Sequence, residues 1–168
     1  SPDVQVVRST INLGFGKGNN IGLAKAFAED ADCVLLLNQD ATVDKACIGE
    51  LVAMSREHPD FGVLCPLHLN SEGSNFDGSF ISSYLAPANT EFFFDTYNHQ
   101  VRPLYEIPGV NAAAWLLTRS CLETVGGFDP LYFMYGEDDD YLWRAKTNTV
   151  KVGLVPGARI VHHRANAG

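Results

Sequence analysis

Apolar positions in the first 65 residues follow two rhythms. Apolar segments of strand length fall at 4–7, 33–37 and 61–65. The run Cys33-Val-Leu-Leu-Leu37 has the unbroken apolar character of a parallel strand covered on both faces. Between the runs the spacing turns helical. Ile21, Ala24, Phe27 and Ala28 share one face of a helix whose cap is expected at Asn19 or Asn20. Ile48, Leu51, Val52 and Met54 mark the inner side of a second helix over 44–57, with Pro59 just beyond it. Strand, helix, strand, helix, strand predicts an α/β fold with a parallel sheet.

Past residue 68 the regularity lapses. Residues 68–106 are polar and aromatic without a sustained period, and are expected to form a long excursion with short strands, one around Phe92-Phe-Phe94. Long irregular segments in a compact domain are commonly functional. A strand is predicted at 110–117. Ser120-Cys-Leu-Glu123 reads as a capping box, and Gly126-Gly127 ends the short helix it opens. Gly136-Glu-Asp-Asp-Asp140 begins a helix reaching about Lys146, and strands at 150–155 and 158–162 follow.

Composition narrows the function. The chain has 168 residues, 12 Lys+Arg against 20 Asp+Glu, a net charge of −8 and 46% hydrophobic residues. That length suits one domain over 1–168 with a real core. An excess of acid excludes a nucleic-acid backbone as the main ligand and fits a protein that recruits cations to meet phosphate. No apolar stretch reaches the roughly 18–20 residues of a membrane span, and the first residues lack a signal-peptide plan. Cys33, Cys47, Cys65 and Cys121 are scattered without a Cys-x-x-Cys pair, so reduced thiols in a cytosolic compartment are expected.

Four places carry candidate chemistry. Gly14-Phe-Gly-Lys-Gly-Asn-Asn20 has Asn19 where the dinucleotide fingerprint needs glycine, and no Lys-Ser or Lys-Thr pair, so a tight strand-to-helix turn, which explains the glycines by itself, is the favoured reading. Asp40, beside Asn38, ends a buried strand, as either a turn former or a carboxylate at the ligand-binding edge of the sheet. Glu137-Asp-Asp-Asp140 suits a helix's first turn, where the dipole favours acids and Asp140 can pair with Arg144. The apolar lead-in from Phe128 to Tyr135 also fits carboxylates delivered to a cleft as a base or as metal ligands. Strand alternation puts the rings of His162 and His163 on opposite faces, so only one is expected to face a site.

In this order the segments resemble family-2 glycosyltransferases of the GT-A fold, in particular the rhamnosyltransferase-like enzymes of bacterial surface polysaccharide synthesis. The matching residues are Asn12-Leu-Gly-Phe-Gly-Lys-Gly-Asn-Asn-Ile-Gly22, Leu35-Leu-Leu-Asn-Gln-Asp40 and Gly126-Gly-Phe-Asp129. Phe133-Met-Tyr-Gly-Glu-Asp-Asp-Asp140 and Pro156-Gly-Ala-Arg-Ile-Val-His162 follow. The resemblance covers nearly the whole chain, and its specificity lies in the ordered set.

It implies a Rossmann-like, mixed and mainly parallel sheet flanked by helices. It also implies inverting transfer of a sugar from a nucleotide-diphosphate sugar to a saccharide or lipid-linked acceptor. Asp40 and His162 would hold Mg²⁺ or Mn²⁺ on the diphosphate, and Asn38, Asp40 and Asn19 would bind the donor. Asp138 would be the general base, and 68–106 the variable acceptor side. A cytoplasmic location follows, with room for peripheral association at the inner face of the membrane and with no nucleic-acid partner.

Two departures stand out. Ala112-Ala113 replaces the family's Gly-Ala facing the sugar, so a narrower donor pocket is expected. The two strands with which the family begins, which hold the nucleotide base, are absent. This chain is therefore expected either to be a piece of a longer protein or to complete its sheet as a homodimer, and to bind nucleotide sugars poorly by itself. A non-catalytic, truncated module that binds sugar or a partner protein is the alternative reading.

Overall fold

A computed structural model describes residues 4–85 and 89–163. Six strands form one mixed sheet in the order β1 (Cys33–Leu37), β5 (Ala114–Thr118), β3 (Phe61–Leu69), β6 (Lys151–His162), β2 (Ala41–Val43), with β4 (Tyr105–Glu106) also on β6. The β3–β6 pair is parallel and the other pairs are antiparallel. Because β5 runs against both β1 and β3, the strands β1, β3 and β6 all point the same way. Their carboxyl ends therefore share one edge of the sheet.

Helices cover both faces. On one, α2 (Cys47–Glu57) buries Cys47, Leu51 and Met54 against Leu64, Leu116, Val155 and Ile160. On the other, α1 (Gly14–Ala28), α5 (Arg119–Val125) and α6 (Glu137–Thr147) join the 70–106 excursion around Trp115, Phe128, Tyr141 and Leu154. Among the described residues no helix is long and apolar enough to cross a membrane. All four cysteines are free thiols.

Several sequence expectations are corrected. Residues 4–7 form no strand, and Val4, Val6 and Val7 are exposed. A strand needs a partner, and among the described residues β1 is an edge strand paired with β5 alone. Being at the edge, β1 is half-covered rather than buried on both faces. Helix α1 opens at Gly14, with the Asn12 Oδ1 accepting from the Gly14 N–H (2.9 Å), so neither Asn19 nor Asn20 is its cap. It buries Gly16 and Leu23, which leaves the Ile21, Ala24, Phe27, Ala28 stripe facing outward. Ile48 on α2 is likewise exposed, and Cys47 takes the inner position.

The strand expected around Phe92 is instead helix α4 (Thr90–Tyr97), capped by the Asn89 Oδ1, which accepts from the Phe92 N–H at 2.9 Å. The excursion also holds α3 (Gly78–Phe80), which continues into a π-helical turn, Ile81–Leu85. Thr118, not Ser120, caps α5, because Thr118 ends β5 in an extended conformation that aims its hydroxyl at the Cys121 N–H. The two closing strands are one, β6, whose register on β3 shifts across Pro156 and Gly157.

Candidate active site

The turn after β1 sets the site at the shared carboxyl edge. The Asn38 N–H donates to the Ala113 carbonyl (2.9 Å), and the Asn38 carbonyl accepts from the Ala41 N–H (3.1 Å), so residues 38–41 form a tight turn leading into β2. β2 then lies antiparallel on the end of β6, with Ala41 opposite His162. This register brings the Asp40 Oδ1 to 3.5 Å from the His162 Nε2. The carboxylate side chain is 42% exposed and the imidazole only 6%. One partner is open to an incoming ligand, and the other is fixed in the core.

His163 turns the opposite way. It is exposed, its ring nitrogen Nε2 lies 3.2 Å from the Thr42 hydroxyl, and its N–H donates to the Asp40 carbonyl at 2.7 Å. The strand alternation read from the sequence is thus present in the structure.

Asp138 stands on another element. Helix α6 begins after Tyr135 (φ 68°) and Gly136 (φ 87°), two left-handed residues in succession, with Glu137, Asp138, Asp139 and Asp140 in its first turn. A left-handed tyrosine is a strained conformation. Just ahead of it in the chain, Phe133 lies so close to Gly14, at φ 77°, that a Cβ on Gly14 would run into the Phe133 carbonyl oxygen. The glycine-rich segment is therefore a helix start packed against the 131–136 segment. Asp140 pairs with Arg144 at 2.8 Å, as its spacing predicts.

Asp138 is half-buried, and its Oδ1 accepts from the Asp139 N–H at 3.0 Å. Glu137, one of the acids expected to reach a cleft, is buried, and its Oε2 has no hydrogen-bond partner among the described residues.

Asp40 and His162 are thus brought together, with Asn38 in the same turn. Asp138 and Asn19 stand on α6 and α1. The Asn19 amide is turned back onto its own helix, donating to the Phe15 carbonyl at 3.0 Å. Among the described residues no group of three or more His, Cys, Asp or Glu side chains is gathered to hold a metal alone. One carboxylate and one imidazole suit Mg²⁺ or Mn²⁺ when a substrate's phosphate oxygens complete the shell.

A mixed sheet with this edge defines a domain of the GT-A class. Solved structures of the same fold include GalNAc-T7 with UDP, GalNAc and Mn²⁺, at TM-score 0.67 and 16% identity over 93% of this chain and 31% of that one. Another is A197 from STIV, at TM-score 0.57 and 14% identity over 96% of this chain and 72% of that one. At such identities the likeness is one of fold.

Membership is established by sequence: the chain belongs to glycosyl transferase family 2, whose model matches residues 1–126. It is 25% identical over 170 residues to the low-salt glycan biosynthesis hexosyltransferase Agl10 of Haloferax volcanii, covering 96% of this chain and 52% of that protein. It is 28% identical over 190 residues to the N-acetylglucosaminyl-diphospho-decaprenol L-rhamnosyltransferase of Mycobacterium tuberculosis, covering 99% and 61%. The chain spans between about half and three-fifths of the length of these relatives.

Proposed function

We propose that this domain, read as one unit over 1–168, transfers a sugar from a nucleotide-diphosphate sugar to a saccharide or lipid-linked acceptor, with inversion at the anomeric carbon. The observation that carries this reading is the Asp40–His162 pair, 3.5 Å apart at the carboxyl edge of the sheet. Ligands of open α/β sheets bind at that edge.

Asp40 and His162 would hold Mg²⁺ or Mn²⁺, which when bound offsets the charge growing on the departing diphosphate. Asn38 shapes the turn that presents Asp40, and we assign it, with Asn19, to the donor side. Asp138 accepts the proton that the acceptor hydroxyl loses as it attacks. It stands in the first turn of α6, where the helix dipole favours negative charge, and a positioned carboxylate there can take up the proton. A single displacement from the face opposite the leaving group inverts the configuration.

Leu131, Phe133, Met134 and Tyr135, directly ahead of Asp138, and Trp143 on α6 are exposed. This apolar surface supports a lipid-linked acceptor and peripheral contact with the cytoplasmic face of a membrane. The relatives' names support surface-glycan synthesis. The outer edge of β1 pairs with no strand among the described residues, which supports sheet completion by a second copy in solution.

Thermal-shift measurements on the full-length protein with UDP-, dTDP- and GDP-sugars, with and without Mn²⁺, test the reading. A nucleotide-sugar stabilisation that requires Mn²⁺, followed by transfer with inverted anomeric configuration, is expected. Mn²⁺-dependent stabilisation without transfer to any acceptor would favour the non-catalytic module.

A further inference from the structure

A second histidine lies beside the first. His68, near the end of β3, is fully buried, and its ring centroid is 5.8 Å from that of His162, with the planes at 88°. Phe80 stacks on His68 at 4.1 Å and 24°. The 70–106 excursion delivers Phe80 to this place. The Asp77 N–H donates to the His68 carbonyl at 2.9 Å, and the Asp77 carboxylate accepts from the Phe80 N–H at 2.7 Å. Phe80 is thus tied through its backbone to the residue on which its ring stacks. The Cys65 sulfur, 3.6 Å from the His68 Nε2, closes a further side.

An imidazole that binds a metal must keep its nitrogen aimed. His162 turns about its Cβ–Cγ bond, and a perpendicular neighbour at 5.8 Å limits that turn. His68 cannot retreat, because it is fully buried with Phe80 packed upon it. We propose that His68 is a positioning residue for the Asp40–His162 pair, and that Phe80 holds it there. The inference rests on the reading that Asp40 and His162 receive the metal–diphosphate group. It also makes the excursion a mechanical support of the donor side, since Phe80 stacks on His68, His68 meets His162 edge to face, and His162 lies against Asp40.

The test is the Mn²⁺ concentration giving half-maximal thermal stabilisation of the full-length protein in UDP, and separately in dTDP and GDP, without acceptor. A purely structural role lowers the melting temperature without Mn²⁺ and leaves this concentration unchanged. His68→Ala is expected to raise it by about 10–100-fold, the usual effect of removing a group that orients a metal ligand. His68→Phe, which keeps a ring in place, is expected to stay within about threefold of wild type.

An unchanged value in His68→Ala, with the stabilisation lost in His162→Ala, overturns this inference and leaves the proposed function standing. So does a His68→Phe variant as impaired as His68→Ala. An unchanged value in His162→Ala overturns the metal reading itself. If His68→Ala does not fold, Phe80→Leu takes its place: a rise of several-fold supports the role, and no change contradicts it.

Discussion

Asn20 and Phe128 are joined by a reciprocal pair of hydrogen bonds across 108 residues of chain: the Asn20 Nδ2 donates to the Phe128 carbonyl and the Phe128 N–H donates to the Asn20 Oδ1, both at 2.8 Å. One amide side chain thereby satisfies both backbone groups of the residue that opens the α6 lead-in. It clamps α1 to Phe128, whose ring packs against Trp115 and Tyr141.

Asn20→Ala is expected to destabilise the fold by about 1–3 kcal/mol, because it leaves two partly buried backbone groups unpaired. Gly127→Ala should act through the same clamp, since its Cβ would lie 2.5 Å from the Asn20 Oδ1. The double variant should therefore cost clearly less than the sum of the two singles, as neighbours that share one interaction do. Urea denaturation of the four proteins checks this. Strict additivity would show that the two residues act separately.

Two other glycines of α1 separate packing from propensity. Gly14→Ala runs into the Phe133 carbonyl oxygen and sits at φ 77°, so a loss toward the upper end of about 0.5–3 kcal/mol is expected. Gly18 has open space where a Cβ would stand. Gly18→Ala should stabilise by about 0.5–1 kcal/mol through helix propensity. Thermal and urea unfolding measure both, and equal effects would contradict the assignment.

Burial pushes the thiols upward, Cys47 to about 11 and Cys65 and Cys121 also above the usual cysteine value. These groups are favoured neutral in the fold. The Cys47 contribution to stability is complete below the unfolded value near 9 and is lost as pH rises toward about 11, and Cys65 and Cys121 act in the same direction. Unfolding midpoints should accordingly fall between pH 9 and 11. In the native protein at neutral pH, alkylation should modify Cys33, the one thiol that is not buried, well before the other three.

The parts legible from sequence are those whose signal is local. The apolar run at Cys33–Leu37, the acid-rich start of α6 and the alternation of His162 and His163 each stand in the structure where their residues pointed. Misread parts depend on neighbours distant in sequence. Val4 to Val7 has strand composition but no partner, and a strand exists only by pairing. Phe92-Phe-Phe94 fits either period, and the deciding feature was Asn89, three residues ahead of Phe92, which caps a helix. Asn20 looked like a cap because its type suits one, whereas its partner lies 108 residues away. Asp40 and the His162–His163 pair were candidates on local grounds, and resemblance to a family singled out His162 and assigned the two a metal. His68 carried no local pattern, and only the parallel pairing of β3 with β6 sets it beside His162.

Replacing the proposed base isolates the chemical step. Asp138→Asn keeps the shape of the side chain and removes its capacity to accept a proton. It is expected to lower turnover by about 10²–10⁴-fold while leaving donor binding nearly unchanged. Steady-state kinetics with a separate donor-binding titration checks this. Retention of most of the turnover would remove Asp138 from the role.

Asp40 and His162 are proposed to act together on a metal-bound diphosphate, and His163 is not. The most direct measurement is the Mn²⁺-dependent affinity of the full-length protein for its nucleotide-sugar donor in Asp40→Ala, His162→Ala and His163→Ala. The account predicts a loss of about 10-fold or more for each of the first two. For His163→Ala, whose ring lies beside the Thr42 hydroxyl at the surface, little change is expected. A His163 variant more damaging than the His162 variant, or Asp40→Ala with undiminished Mn²⁺-dependent affinity, would contradict it.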